Sequence, residues 1–417
     1  MSQTKKPVSR APARYRGDID ERHLDVLDGF RVLMMFVVSW FHIWQQSWLM
    51  PIGYVGPVFF NLDFIPRCGY IAVDGLIFLS GLLLMYPHAR EGAKAPAAVP
   101  FYKKRLIRVL PGYLLVLVVS LLLDALPSHR YQNTWEMIRD LLAHLTFTHT
   151  LFPFSYTGSP LNGVLWTLAV EAQFYILFPL LCRLYQKHPA WTAGGMTAAA
   201  FAYRAWVSGF QDTSLYINQL PAFLDIYALG FMSATAIRAL RSRFNGQTAR
   251  EKVFFTLCAG VGLWILTQTA REQAASNGIE AIRLGQMNRR FMLGIGFTLT
   301  AVGLCFSLPA ARFLFGNRAM RFLASVSYQY YLWHQMVTLH LKDWGIPPAK
   351  STQPWADGEL SWQWPYVLLC FGLSLLIAAV LTYGYELPVQ RRLLRSITAA
   401  SRARDAGAGS GPRPGPA

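Results

Sequence analysis

From Asp25 to Met50 the chain reads DVLDGFRVLMMFVVSWFHIWQQSWLM, an apolar run long enough to cross a bilayer that still carries Asp28, Arg31 and His42. Ionisable groups inside a span are expensive, so they are candidates for function. Arg31 and His42 stand eleven residues apart, which on an α-helix returns to within roughly 20° of the same face about 16 Å further along. One stripe thus presents a cation low down and an imidazole higher up. Asp28, three residues before Arg31, is placed to pair with it. The plainer reading has Arg31 snorkelling to the interface and His42 serving as a packing residue.

The remaining 417-residue sequence repeats the first pattern. Apolar runs near 26–49, 69–86, 106–126, 164–185, 191–208, 221–240, 253–270, 290–308, 321–341 and 365–386 predict an all-α, polytopic integral membrane bundle of about ten transmembrane helices. With 53% hydrophobic and only 15% charged residues, the chain is too apolar for an ordinary soluble enzyme of its size. Residues 1–24 read as a basic cytoplasmic segment without a cleavable signal, 25–397 as the transmembrane domain, and 398–417 as a disordered cytoplasmic tail. The five cysteines have neither metal nor disulfide spacing and read as packing residues.

A net charge of +17 raises nucleic acid as a partner, but topology explains the basic residues better. Most of the 39 Lys and Arg fall in segments that share a side with the N-terminus. This predicts a multi-pass protein of the cell (inner or plasma) membrane with both termini cytoplasmic and no nucleic-acid partner. The awkward loop is 271–289, where Arg271, Arg283 and Arg289 lie outside. The outer loop 127–163 contains EMIRDLLAHLTF, whose helical spacing predicts a short surface helix, a candidate lid.

Counting helix rise from the inner ends places His42, Asp74, Glu171, Arg204, Asp225 and His334 in one layer roughly 10 Å below the outer surface. Arg204 and Asp225 suit a structural ion pair. Asp74 and Glu171 suit orienting a histidine or binding substrate, because an unpaired buried carboxylate is costly. His334 is a substrate contact or only a helix contact. Lys104, Arg105 and Arg108, in FYKKRLIRVLPGYLL, lie along one side of the third span and read either as ordinary positive-inside residues or as phosphate ligands.

Several of these segments together resemble the acyltransferase 3 family of membrane acyltransferases. Asp28-Gly29-Phe30-Arg31 followed by Phe41-His42 is similar to the family's opening motif, with Val32 standing where the family usually has glycine. Residues 69–84 (GYIAVDGLIFLSGLLL), 165–181 (LWTLAVEAQFYILFPLL), 327–335 (SYQYYLWHQ) and 383–393 (YGYELPVQRRL) resemble four further family signatures in the expected order. They supply Asp74, Trp166, Glu171 and His334. The family's Arg-Arg-x-x-Arg motif corresponds to Lys104, Arg105 and Arg108, with lysine in the first place.

The resemblance implies an O-acyltransferase that moves an acyl group, most often acetyl, from acyl-CoA to a hydroxyl of an extracytoplasmic or lipid-linked glycan. No cofactor is permanently bound in this reading; acetyl-CoA is the donor substrate, and the lipid bilayer and the glycan are the other partners. His42, Arg31, Glu171 and Asp74 form the catalytic set, Lys104, Arg105 and Arg108 hold the donor, and Trp166, Arg204 and His334 contact substrate; no metal is expected. The rival is a transporter or flippase of a glycan or lipid-linked substrate, because buried charges also mark substrate pathways, although no inverted repeat is visible. A structural or assembly protein would leave the arginine–histidine stripe without a purpose.

Overall fold

A computed structural model describes residues 24–55, 57–243 and 248–396. The expected N-terminal segment, apart from Leu24, and the tail at 398–417 lie outside the described residues. Helix α1, Asp25–Ser47, carries Asp25 and Asp28 in its first turn, where the helix dipole favours negative charge. It ends at Trp48, whose left-handed backbone (φ 52°) turns the chain into an antiparallel hairpin of β1, Ile52–Val55, and β2, Val58–Asn61. After the single turn α2, Phe64–Arg67, comes α3, Ala72–Met85. Helix α4, Ala98–Ser120, is followed by the surface helix α5, Thr134–Leu145, and the turn α6, Pro153–Tyr156. Then come α7, Trp166–Lys187, α8, Pro189–Val207, α9, Leu224–Arg243, and α10, Ala249–Ala274. The chain closes with α11, Ile279–Phe306, α12, Pro309–Gly316, α13, Arg318–Asp343, and α14, Leu360–Leu381.

The fold is an all-α polytopic membrane bundle. Eight helical stretches among the described residues are long and apolar enough to cross a bilayer. The other two expected spans correspond to α8, of 19 residues, and α13, of 26, both of spanning length. Their polar content lowers their mean hydropathy, and much of that content is turned inward: Arg204 on α8 and Ser327, Gln329, His334 and Thr338 on α13 are buried. The third span starts earlier than its apolar run suggests, so Lys103 to Arg108 belong to helix α4 itself.

Burial sorts the spans. The stretch containing α3 is 78% buried and forms the centre, packed against α1, α7, α9 and α11, whereas α10 and α14 are 22% and 28% buried and present Leu257, Trp264, Leu368 and Leu376 outward. An apolar exterior on helices whose backbone bonds close internally is what a bilayer demands. Two glycines set close approaches. A methyl group on Gly29 would sit 2.2 Å from the Phe315 carbonyl oxygen, and one on Gly230 would sit 2.7 Å from that of Phe78, so α1 is pinned to α12 and α9 to α3.

The end of the bundle opposite the start of α1 is capped by residues 127–165. The expected surface helix is present as α5, with Asn133 accepting a bond from the Glu136 N–H at its start. It is tied down through Tyr113, which donates to the His144 carbonyl at 2.8 Å, and through Asp140, which accepts from Tyr131 at 2.7 Å and Ser159 at 2.6 Å. The His144 and His149 rings stack at 4.1 Å. Burial first, and then the neighbouring His144, push the His149 imidazole down to about 3. The five cysteines are free thiols, four of them buried.

Candidate active site

Four helices converge where α1 and α4 begin, around a cavity of about 240 Å³ lined by Arg31, Ser80, Arg105, Arg108, Glu171 and Tyr175. Glu171 accepts a 2.6 Å bond from the Ser80 hydroxyl. The Arg105 guanidinium lies 5.3 Å from the Phe101 ring and 5.5 Å from the Tyr175 ring, which hold it in place as aromatic faces hold cations. Among the described residues none of the three arginines forms an ion pair with a carboxylate. Three guanidinium groups against one carboxylate leave an excess of positive charge inside low-dielectric walls, which favours an anion. The volume falls below the roughly 300–1,000 Å³ of a site for a whole small molecule, so the cavity suits one charged end or one arm of a larger ligand.

Lys104 is exposed and does not line this cavity. The expectation that all three basic residues act together is therefore corrected to Arg105 and Arg108, with Arg31 joining them from α1. Lys104 stands one turn before Arg108, nearer the start of α4, and so falls below the cavity rather than on another face of the helix.

His42 lies beyond the cavity, further along α1. Its ring is 5.2 Å from that of His334 and 5.1 Å from that of Phe41. His42 Nδ1 is 3.1 Å from Gln45 Oε1 and 3.4 Å from Gln335 Nε2. The shorter contact, to an oxygen that only accepts, assigns the proton to Nδ1 and leaves a lone pair on Nε2. His334 is fully buried; its Nδ1 donates to the Tyr331 carbonyl at 2.8 Å, and its Nε2 has no partner among the described residues. Two neutral imidazoles, each with a free acceptor nitrogen, therefore adjoin each other. Tyr331 joins the two regions, since it lines the cavity and its ring is 5.6 Å from that of His334.

The single layer of six polar groups expected from helix counting divides into three sites. Glu171 belongs to the cavity, and His42 pairs with His334. Asp74 and Arg204 belong elsewhere: Asp74 sits 3.6 Å from Arg290, both fully buried, and Arg204 is paired with Asp225. Arg290 also donates to the Ile217 carbonyl at 2.5 Å and to Asn218 Oδ1 at 3.0 Å, with its guanidinium 3.9 Å from the Phe223 ring. Trp166 stacks on the other neighbour of this group, 6.1 Å from Phe223. Neither carboxylate orients His42, whose polar neighbours are Gln45, Gln335 and His334; this corrects the expected role of Asp74 and Glu171. Sequence reading overlooked Arg290 because its apolar run began there, although two successive arginines at the foot of a span are the available signal. It also overlooked Gln45 and Gln335, whose type is too common to stand out.

A family model described as an acyltransferase domain matches residues 24–384. Acyltransferase MdmB of Streptomyces mycarofaciens is 28% identical over 52% of this chain and 58% of its own length. Nodulation protein 10 of Rhizobium leguminosarum bv. viciae is 25% identical over 76% of this chain and 83% of its own. O-acetyltransferase OatA of Staphylococcus aureus is 26% identical over 38% of this chain, which spans only a quarter of that protein. No solved structure matches the chain.

Proposed function

The chain belongs to the acyltransferase 3 family, and we propose that this multi-pass membrane acyltransferase moves an acetyl group from acetyl-CoA to a hydroxyl of an extracytoplasmic or lipid-linked glycan. The observation that carries the reading is Arg31, Arg105 and Arg108, without an ion pair among the described residues, in one narrow cavity that meets the His42–His334 pair at Tyr331. Acetyl as the group agrees with the names of relatives such as O-acetyltransferase OatA. The glycan acceptor rests on the family resemblance. The cell membrane, with both termini and the arginine-lined end facing the cytoplasm, agrees with the distribution of basic residues.

In this reading the arginines hold the phosphates of the donor, which is the task bidentate guanidinium groups suit best. The pantetheine arm enters the cavity and carries the thioester past Tyr331. Two routes are then open at His42. As a general base, Nε2 takes the acceptor O–H proton while the oxygen attacks the thioester carbonyl; the new C–O bond forms, the C–S bond breaks, and the thiolate leaves to be protonated as CoA-SH. In the covalent route Nε2 attacks the thioester carbon, the C–S bond breaks and the thiolate leaves with the imidazole's Nδ1 proton as CoA-SH; the acceptor oxygen then attacks the acyl-imidazole, the N–acyl bond breaks, and the hydroxyl proton returns to the imidazole. Glu171, bonded to Ser80, fixes the cavity wall instead of the imidazole.

The test is acetyl transfer from labelled acetyl-CoA in membranes that contain the acceptor, comparing wild type with His42→Ala at matched abundance. Label in an extractable glycan that disappears in the variant is expected. Equal labelling in both removes His42 from the chemistry. Glycan movement without coenzyme A would favour transport.

A further inference from the structure

Three arginines outside the expected topology need an explanation, and two of them have one. Arg283 is paired with Glu280 and lies 3.0 Å from Asp212; Arg289 lies 3.7 Å from Glu272 and donates to Gln273 Oε1 at 2.6 Å. Arg271 has no carboxylate partner among the described residues. Instead its guanidinium sits 5.1 Å from the Phe64 ring, where it lines an open depression of about 400 Å³ with Asn61, Asp63, Phe64 and Arg67. That volume lies within the roughly 300–1,000 Å³ range of small-molecule sites.

Asp63 is only 8% exposed; its Oδ1 is buried with no hydrogen-bond partner among the described residues, and Oδ2 is 3.4 Å from Arg67. A carboxylate held this way is under-satisfied, so a hydroxyl donated to its exposed part is favoured. Arg67 balances Asp63, so Arg271 is left as the excess cation. The depression is therefore built to offer an aromatic wall, a hydroxyl acceptor and a guanidinium.

A chain of side-chain contacts links it to the imidazole. Gln273, two residues from Arg271, donates to the Tyr70 hydroxyl at 2.6 Å; the Tyr70 and Phe41 rings meet at 5.0 Å, and Phe41 adjoins His42. Two layers of side chain separate the depression from His42, on the end of the bundle away from Arg105 and Arg108.

We propose that this depression is the acceptor subsite and binds a sugar residue that bears an anionic group, a carboxylate or a phosphate, with Arg271 on the anion and Asp63 on a ring hydroxyl. The inference rests on the acyl-transfer reading for the word acceptor, and on the depression's own residues for the ligand class. A neighbouring sugar of the same chain would then lie over His42.

The experiment uses the full chain in lipid nanodiscs and saturation-transfer NMR with glucuronic acid, glucose 1-phosphate and glucose as probes. At least one anionic probe is expected to bind ten-fold or more tightly than glucose, and the arm that binds distinguishes carboxylate from phosphate. Arg271→Glu is expected to weaken that probe at least ten-fold, Arg271→Lys by less, and Asp63→Asn to weaken anionic and neutral probes alike. Acetyl-CoA binding, measured on the same samples, is expected to survive all three substitutions and so reports that the bundle is folded. No binding of any probe, glucose binding equal to the anions, or no loss in Arg271→Glu would overturn the site. The outcomes separate from those of the enzyme reading: sugar binding without His42-dependent transfer keeps the site and removes the reading, and the converse keeps the reading and removes the site.

Discussion

Two sets of arginines, one buried in this bundle and one lining a cavity at its end, are treated in opposite ways. Arg204 and Arg290 each face a carboxylate, Asp225 and Asp74, and donate to backbone carbonyls and Asn218, although Arg290 Nε and both Asp74 oxygens make no hydrogen bond among the described residues. Arg31, Arg105 and Arg108 line a cavity, outnumber its carboxylate, and have no ion pair among the described residues. In a low-dielectric setting the first arrangement is balanced in charge and the second awaits charge from elsewhere. Residue type alone does not distinguish structure from function here; pairing does.

The comparison breaks most readily at Arg290. Arg290→Met leaves Asp74 buried and unpaired and is expected to cost about 3–5 kcal/mol, whereas Arg290→Met with Asp74→Leu restores most of it. Thermal unfolding of the purified chain measures both. If the single variant is as stable as wild type, the closed set is not a structural device.

The open set predicts the converse. Arg105→Ala and Arg108→Ala are each expected to raise the KM for acetyl-CoA about ten-fold or more, the loss of one charge-assisted contact of about 1.5–3 kcal/mol, with thermal stability unchanged. A fall in stability with unchanged KM would move them into the closed class.

The outer cap supplies a smaller effect. The His149 imidazole, pushed down to about 3 in the folded protein, takes up its proton more readily when unfolded, where its value is near 6.5. The unfolded state therefore binds more protons below pH 6.5, and stability is lost as pH falls towards 3, at up to about 1.4 kcal/mol per pH unit. His149→Gln is expected to flatten that slope in thermal unfolding measured from pH 7 to pH 4.

Lys104 gives the smallest effect. Exposed and outside the cavity, Lys104→Ala is expected to change the KM for acetyl-CoA by less than two-fold and stability by under about 0.5 kcal/mol. A ten-fold change would return it to the donor site.

The eight stretches long and apolar enough to cross a membrane, and the runs that correspond to α8 and α13, were legible in the sequence because hydrophobic length is a one-dimensional property. So was the α1 stripe, since two residues on one straight helix keep their relation whatever packs around them. The Arg204–Asp225 pair across α8 and α9 was legible too, whereas the partners expected for Asp74 and Glu171 were not the ones found. Depth placed Asp74, Glu171 and His42 together, but depth fixes one coordinate of three, and rotation about each helix axis sends Asp74 to Arg290 and Glu171 to Ser80. Arg290 was hidden for a related reason: α11 begins at Ile279, well before its apolar run, because buried partners offset the polarity of its first turns. The hairpin of β1 and β2 was unread, its uncharged residues merging with the span before it.

The contact between Gly29 and the Phe315 backbone has a metric consequence. It locks the start of α1 in place two residues before Arg31, and a helix does not compress, so the guanidinium and the His42 imidazole form a ruler of about 16 Å with one end nailed down. A donor clamped at the lower mark presents its reactive carbon at the upper mark only if its arm has the matching length. Shortening or lengthening α1 by one residue between the marks would swing the imidazole through about 100° and miscalibrate the enzyme without touching either residue.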